Sequence, residues 1–197
     1  MTAAQRREQL IEVGLGLFAE RGFDGSAIEE VANRAAVSKP VVYEHFGGKD
    51  GLYAVVVDRE VTQLLTMMRE ALTAGTSREL LEQAAIAFLD YIEQHPEGFR
   101  ILVRDSPIGT TASFQSIIGD VATRVEGILV DAFNRRGLDA KTAPMYTQML
   151  VGMVGATGQW WLATRRPDRH AVAAHLVNLA WNGLSGLEPQ PKLITRD

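Results

Sequence analysis

The run from Ser26 to Asp50, SAIEEVANRAAVSKPVVYEHFGGKD, constrains the fold of this chain more than any other segment. Ile28, Val31, Ala32 and Ala35 recur at helical spacing, so one face of a short helix is apolar. Ala36-Val37 follows as a turn. Ser38 offers a side-chain oxygen to cap a second helix, and Pro40 falls in that helix's first turn, where a missing N–H costs little. Val42 and Phe46 lie at i, i+4 and point back into a core. Gly47-Gly48 breaks the chain. Two short helices across a tight turn form a helix-turn-helix pattern, whose second helix can enter a DNA major groove.

Preceded by an amphipathic helix, the stretch GFDGSAIEEVANRAAVSKPVVYEHFGGKDGLYAVV resembles the N-terminal domain of the tetracycline-repressor-like (TetR) transcriptional regulators. The resemblance rests on Gly22-Phe23, on Ile28 with Val31-Ala32, on Ala36-Val37-Ser38 at the turn, and on Tyr43, His45-Phe46 and Lys49 after it. It covers the first quarter of the chain; the remainder matches in length and helical character. It implies an all-α protein of nine helices: a three-helix head at 1–48, a helical effector-binding and dimerisation domain at 49–187 entered by a long helix, and a tail at 188–197. It further implies a ligand-responsive repressor, acting in the cytoplasm as a homodimer on a palindromic double-stranded operator, answering to a small apolar effector and needing no cofactor. The alternative is an all-helical small-molecule-binding or scaffolding protein whose head takes a protein partner.

Helix three is the groove-reading candidate. Lys39, Pro40 and Val41 in its first turn are the natural base contacts: Lys39 can donate to guanine O6 and N7, and the other two can touch thymine methyl groups. Glu44, one turn on, can accept from a cytosine amine or repel phosphate. By resemblance, Tyr43, His45 and Lys49 position the DNA backbone, although Tyr43 and His45 also suit packing of a small head. Ala27 stands where a hydroxyl often meets phosphate in the family; Ser26 beside it is counted with the DNA-binding residues, in a capping role, and Glu29 stands where some members carry arginine.

Beyond the head, periodicity and breakers place a long helix from Asp50 through Leu72, a capping box at Thr76 and Glu79, a stop at His95-Pro96, a helix from Ser113 to Arg136, and helix nine behind an Asp168 N-cap. On helix eight, Met145, Met149, Met153 and Trp160 line one side and Gly152, Ala156 and Ala163 another. The small face suits close helix approach. Since the family pairs helices eight and nine across a two-fold axis, Gly152, Ala156 and Ala163 with Ala173, Leu176, Val177 and Ala180 are the expected dimer contacts; spacing alone fits an intramolecular core equally. Phe88, Tyr91, Ile92, Phe99, Phe114, Met149, Met153 and Trp160 are the expected lining of an apolar effector cavity, with a filled core as the other reading of the same stripe.

Charge argues the other way. The chain carries a net −4, and its first fifty residues hold six basic against eight acidic side chains, whereas phosphate binders ordinarily show a basic excess. Lys39, His45 and Lys49 would supply positive charge locally. The absence of cysteine removes disulfides and thiolate metal sites and fits a reducing compartment. No charge falls between Lys141 and Arg165, a membrane-spanning length, but Pro144, Gln148, Gln159 and three glycines interrupt it, so a soluble core or interface helix is expected. The four histidines are scattered and no catalytic or metal motif is present, so neither an enzyme nor a metal site is expected.

Overall fold

The computed structural model describes residues 1–103 and 112–193, with the side chains of 112–121 and 124 outside the description. Among the described residues there are nine α-helices and no strand: α1 (Ala3–Arg21), α2 (Ile28–Arg34), α3 (Lys39–Phe46), α4 (Lys49–Ala71), α5 (Ser77–Gln94), α6 (Pro96–Val103), α7 (Ala112–Arg136), α8 (Ala143–Thr164) and α9 (Arg169–Ser185). A 3-10 turn at Ala140–Thr142, which periodicity does not foretell, precedes α8. None of these helices is long and apolar enough to cross a membrane. Residues 1–70 and 90–117 form one compact unit, and 71–89 and 118–197 another.

The first unit is larger than a three-helix head, because α6 packs along α1. Its core is made by the apolar faces of successive helices: Leu10, Leu17 and Phe18 of α1, Val31 of α2, Val42 of α3, Leu52 and Val56 of α4, Tyr91 and Ile92 of α5, and Ile101 of α6, all essentially buried. Gly14 lets α4 approach α1 closely; a Cβ there would stand 3.1 Å from Leu52 Cδ2. At the end of α1, Gly22 has φ 76° and ψ 176°, a positive φ outside the left-handed helical region, and its N–H donates to Phe18 O at 2.8 Å. Phe23 behind it packs edge-on to Tyr53, ring centroids 5.0 Å apart. The α1 N-terminus carries a second capping box, Thr2 with Gln5.

A polar group is set inside this core. Glu60 of α4, 3% exposed, accepts a 3.1 Å hydrogen bond from the Tyr91 hydroxyl. Burial, reinforced by the Glu60 charge, pushes the Tyr91 phenol above its ordinary range. The His95 ring stacks on Tyr91 at 5.3 Å.

In the second unit, Leu129 and Phe133 of α7 and Ala143 of α8 form a cluster against Tyr146, Leu150, Leu184 and Leu187. Arg136 closes α9 by donating to the carbonyls of Leu184 (2.6 Å) and Ser185 (2.7 Å). Asp168 caps α9, accepting from His170 N and Ala171 N. The Thr76–Glu79 box also forms, with Glu79 Oε2 2.7 Å from Thr76 N.

Candidate nucleic-acid interface

The turn between α2 and α3 is built from backbone. Ala36 sits at φ 53°, a left-handed conformation that strains any residue with a Cβ, and this reverses the chain within Ala35–Ser38. Val37 N donates back to Ala32 O at 2.9 Å. Ser38 occupies the N-cap position of α3, but its side chain makes no capping hydrogen bond, contrary to expectation; the Pro40 ring already removes one of the donors a cap would serve. Val42 anchors α3 at 0% exposure, and Gly47, left-handed at φ 71°, ends it.

Anchoring through Val42 turns the rest of the first turn outward. Ser38, Lys39 and Pro40 are exposed, Val41 is half-buried, and Tyr43 and Glu44 are exposed. Tyr43, at 46%, therefore does not pack the head. His45 is half-buried, its ring 6.0 Å from that of Phe46. The Lys39 ammonium meets the Glu29 carboxylate and lies 5.6 Å from the Tyr43 ring centroid.

Two of the expected DNA-binding residues are engaged within the chain. Ser26 is 5% exposed and its hydroxyl donates to Gly22 O at 2.6 Å, so it is turned inward; nor does it cap α2, whose N-cap is Ala27. Lys49 is half-buried, with its ammonium donating to Phe23 O (3.0 Å) and Ser26 O (3.1 Å) and lying 4.2 Å from the Phe23 ring centroid. It braces the α1–α2 loop, adding a second hydrogen bond to Phe23 O, which already accepts from Ser26 N, and one to Ser26 O. Arg7 was not singled out by sequence: its guanidinium is 5.2 Å from the Phe46 ring, which brings an exposed cation beside the end of α3. A pair 39 residues apart leaves no trace in local spacing.

The acidic balance is explained by pairing. Arg34 bridges Glu20 (2.9 Å) and Glu30 (2.8 Å), Arg21 adds Glu30 (2.6 Å), and Arg59 of α4 takes Glu8 (2.6 Å) and Glu12 (2.5 Å). Arginine and the short hydrogen bonds it makes hold the Glu20 carboxyl below its ordinary range. With Glu29 on Lys39, five of the eight acids in the first fifty residues are paired, three by cations of the head and two by Arg59 of α4. Net charge therefore says little about the face that α3 presents.

The body residues divide differently from expectation. Tyr91, Ile92 and Phe99 are buried in the first unit; Phe88 is half-buried in the second. Met149 and Trp160 are not cavity lining: they are 56% and 51% exposed. They share an exposed stripe of α8 with Met145, Gly152, Ala156 and Ala163, while Met153 is half-buried at its edge. Conversely Ala173, Leu176, Val177 and Ala180 are already buried within the chain, so they have no surface left to give a partner. The outward face of α9 is His175, Asn178, Leu179 and Asn182, with Leu179 63% exposed. The Phe114 side chain lies outside the described residues.

Comparison with known proteins agrees with this geometry. Residues 10–56 match the family model of bacterial regulatory proteins, tetR family, and residues 77–183 match the tetracyclin repressor-like C-terminal domain. The HTH-type transcriptional activator FasR of Mycolicibacterium smegmatis is 33% identical over 184 residues, covering 92% of this chain and 84% of FasR. The crystal structure of a TetR-like transcriptional regulator from Rhodococcus sp. RHA1 superposes with a TM-score of 0.77 at 26% identity, over 95% of this chain and all of that one. FadR of Bacillus subtilis, solved in complex with stearoyl-CoA, shares the fold: TM-score 0.71, 19% identity, 92% of this chain and 99% of FadR. Helix-turn-helix geometry, both halves of the family pattern and these relatives lead to one conclusion: this chain belongs to the TetR family of DNA-binding transcriptional regulators.

Proposed function

We propose that the chain acts in the cytoplasm as a homodimeric repressor on a palindromic operator and is released by an apolar effector. The observation that supports the DNA reading is the outward first turn of α3, which leaves Lys39, Pro40 and Tyr43 exposed with the Arg7 guanidinium beside Phe46; on this reading Lys39, Pro40 and Val41 meet base edges, and Tyr43, His45 and Arg7 meet phosphates. Two heads would reach successive major grooves about 34–36 Å apart. The homodimer reading is supported by the exposed stripe of Met145, Met149, Gly152, Ala156, Trp160 and Ala163 on α8, together with Leu179 on α9. Apolar surface of this extent on one helix face is ordinarily covered, and small residues at its centre allow close approach of a second copy. FadR supplies the precedent for a ligand with a long apolar chain.

Lys39→Ala and Tyr43→Ala test the head. Each is expected to weaken binding to a duplex selected from random sequence by the parent chain; binding as tight as the parent at physiological salt overturns the assignment. A reporter placed behind that duplex should rise when the chain is deleted. A fall would instead place this chain with activators, as FasR is named.

A further inference from the structure

Lys39 does not stand alone on the exposed turn of α3. Its ammonium touches the carboxylate of Glu29, which comes from α2, and both are open to solvent, Lys39 by 47% and Glu29 by 60%. A hydrogen-bond donor and an acceptor from two different helices thus stand side by side on the face that carries the reading turn. Through their contact, Lys39 holds the Glu29 carboxyl below its ordinary range and Glu29 holds the Lys39 ammonium above its own. Both groups therefore keep their charge throughout the neutral range.

The major-groove edge of a guanine·cytosine pair shows two acceptors, N7 and O6, next to the cytosine N4 donor. We propose that Lys39 and Glu29 read one such base pair jointly, Lys39 donating to guanine O6 and N7 and Glu29 accepting from cytosine N4. Glu29 on α2 is then a specificity residue of the head. The inference rests on the reading that puts the first turn of α3 in the groove. Orientation follows from the order of groups: the reversed pair sets the N4 amine against the ammonium and O6 against the carboxylate, and a thymine·adenine pair brings its methyl to the lysine side. A lone carboxylate here would meet phosphate repulsion, which the attached ammonium offsets. Glu44, exposed one turn further along α3, is the competing acceptor.

The test is selection of duplexes from random sequence by the full chain and by its Glu29→Ala, Lys39→Ala and Glu44→Ala variants. Competition titrations on the parent's preferred duplex and its single-pair substitutions follow. Glu29→Ala and Lys39→Ala should flatten preference at the same guanine·cytosine pair of each half-site, by about fivefold or more in relative affinity, and Glu44→Ala should leave that pair unaffected. Three results overturn the joint reading: Glu29→Ala keeps every preference; it raises affinity for all duplexes alike, as removal of a repelling charge would; or the two variants act on different pairs. If Lys39→Ala also keeps every preference, the placement of α3 fails as well. A preference lost in Lys39→Ala alone overturns only the role of Glu29.

Discussion

Replacing Gly98 by alanine sets helix propensity directly against packing. Gly98 lies inside α6, where the exchange ordinarily gains about 1 kcal/mol. Here the added Cβ would stand 1.9 Å from Glu60 Oε2, 2.6 Å from its Cδ and 2.8 Å from the Tyr91 hydroxyl oxygen. Both neighbours are buried, so neither can retreat without breaking their 3.1 Å hydrogen bond. Overpacking costs about 1–3 kcal/mol, and leaving a buried polar pair unmade costs about 1–3 kcal/mol more. After the propensity gain is subtracted, the variant should be destabilised by about 3 kcal/mol. Urea unfolding at fixed protomer concentration reads this as a fall in midpoint. Gly16→Ala in α1, whose added Cβ meets nothing within 4 Å, is the control and should gain up to about 1 kcal/mol. Glu60→Ala placed in the Gly98→Ala background should recover part of the loss, as coupled neighbours do. A Gly98→Ala protein as stable as the parent, or stabilised like the control, refutes the close approach of α4, α5 and α6 at this point.

Three further outcomes follow from the same reasoning. A phenol whose folded pKa is raised contributes stability that is full below its unfolded value and declines as pH climbs above about 10; Tyr91→Phe should flatten that alkaline limb and cost about 1–3 kcal/mol at neutral pH by orphaning the Glu60 oxygen, and an unchanged limb in denaturation across pH 7–11 contradicts the buried pair. Ala36→Gly should stabilise by about 0.5–1 kcal/mol, since glycine accepts the left-handed turn without strain and loses part of that gain to unfolded-state freedom; a destabilised variant in urea titration argues against the turn geometry. Leu179→Asp should shift sedimentation toward the monomer, because it charges the exposed face of α9; a parent chain that sediments as a monomer at micromolar concentration removes the dimer reading.

Much of the fold was legible because helix ends are written locally. Lys39–Phe46 coincides with its expected span: Pro40 sits in its first turn and Gly47 ends it. Asp168 and the Thr76–Glu79 pair act through residues two or three places away, so their caps could be read directly. The losses are long-range. Lys49 looks like a free cation until the fold brings Phe23 and Ser26 carbonyls to it, and Glu29 looks like a poor residue for a DNA-binding helix until Lys39 is beside it. On α8, helical rotation places Met149, Gly152, Ala156 and Ala163 in one arc, so the division into a methionine face and a small face misread a single stripe. Periodicity also cannot say which side of an apolar helix faces its own core. On α9 that side belongs to Ala173, Leu176, Val177 and Ala180, leaving Leu179 outward.

The DNA-binding reading requires that α3 lie against paired bases and that phosphates help hold it there. Equilibrium binding of the full chain to its selected duplex, measured across a range of salt concentrations, tests this most directly. Phosphate contacts from Arg7 and neighbouring groups of two heads predict a linear fall of log affinity with log salt, with a slope near −0.9 for each phosphate neutralised, and a shallower slope for Arg7→Ala. Affinity that stays level as salt rises would contradict it and favour a head made for a protein partner.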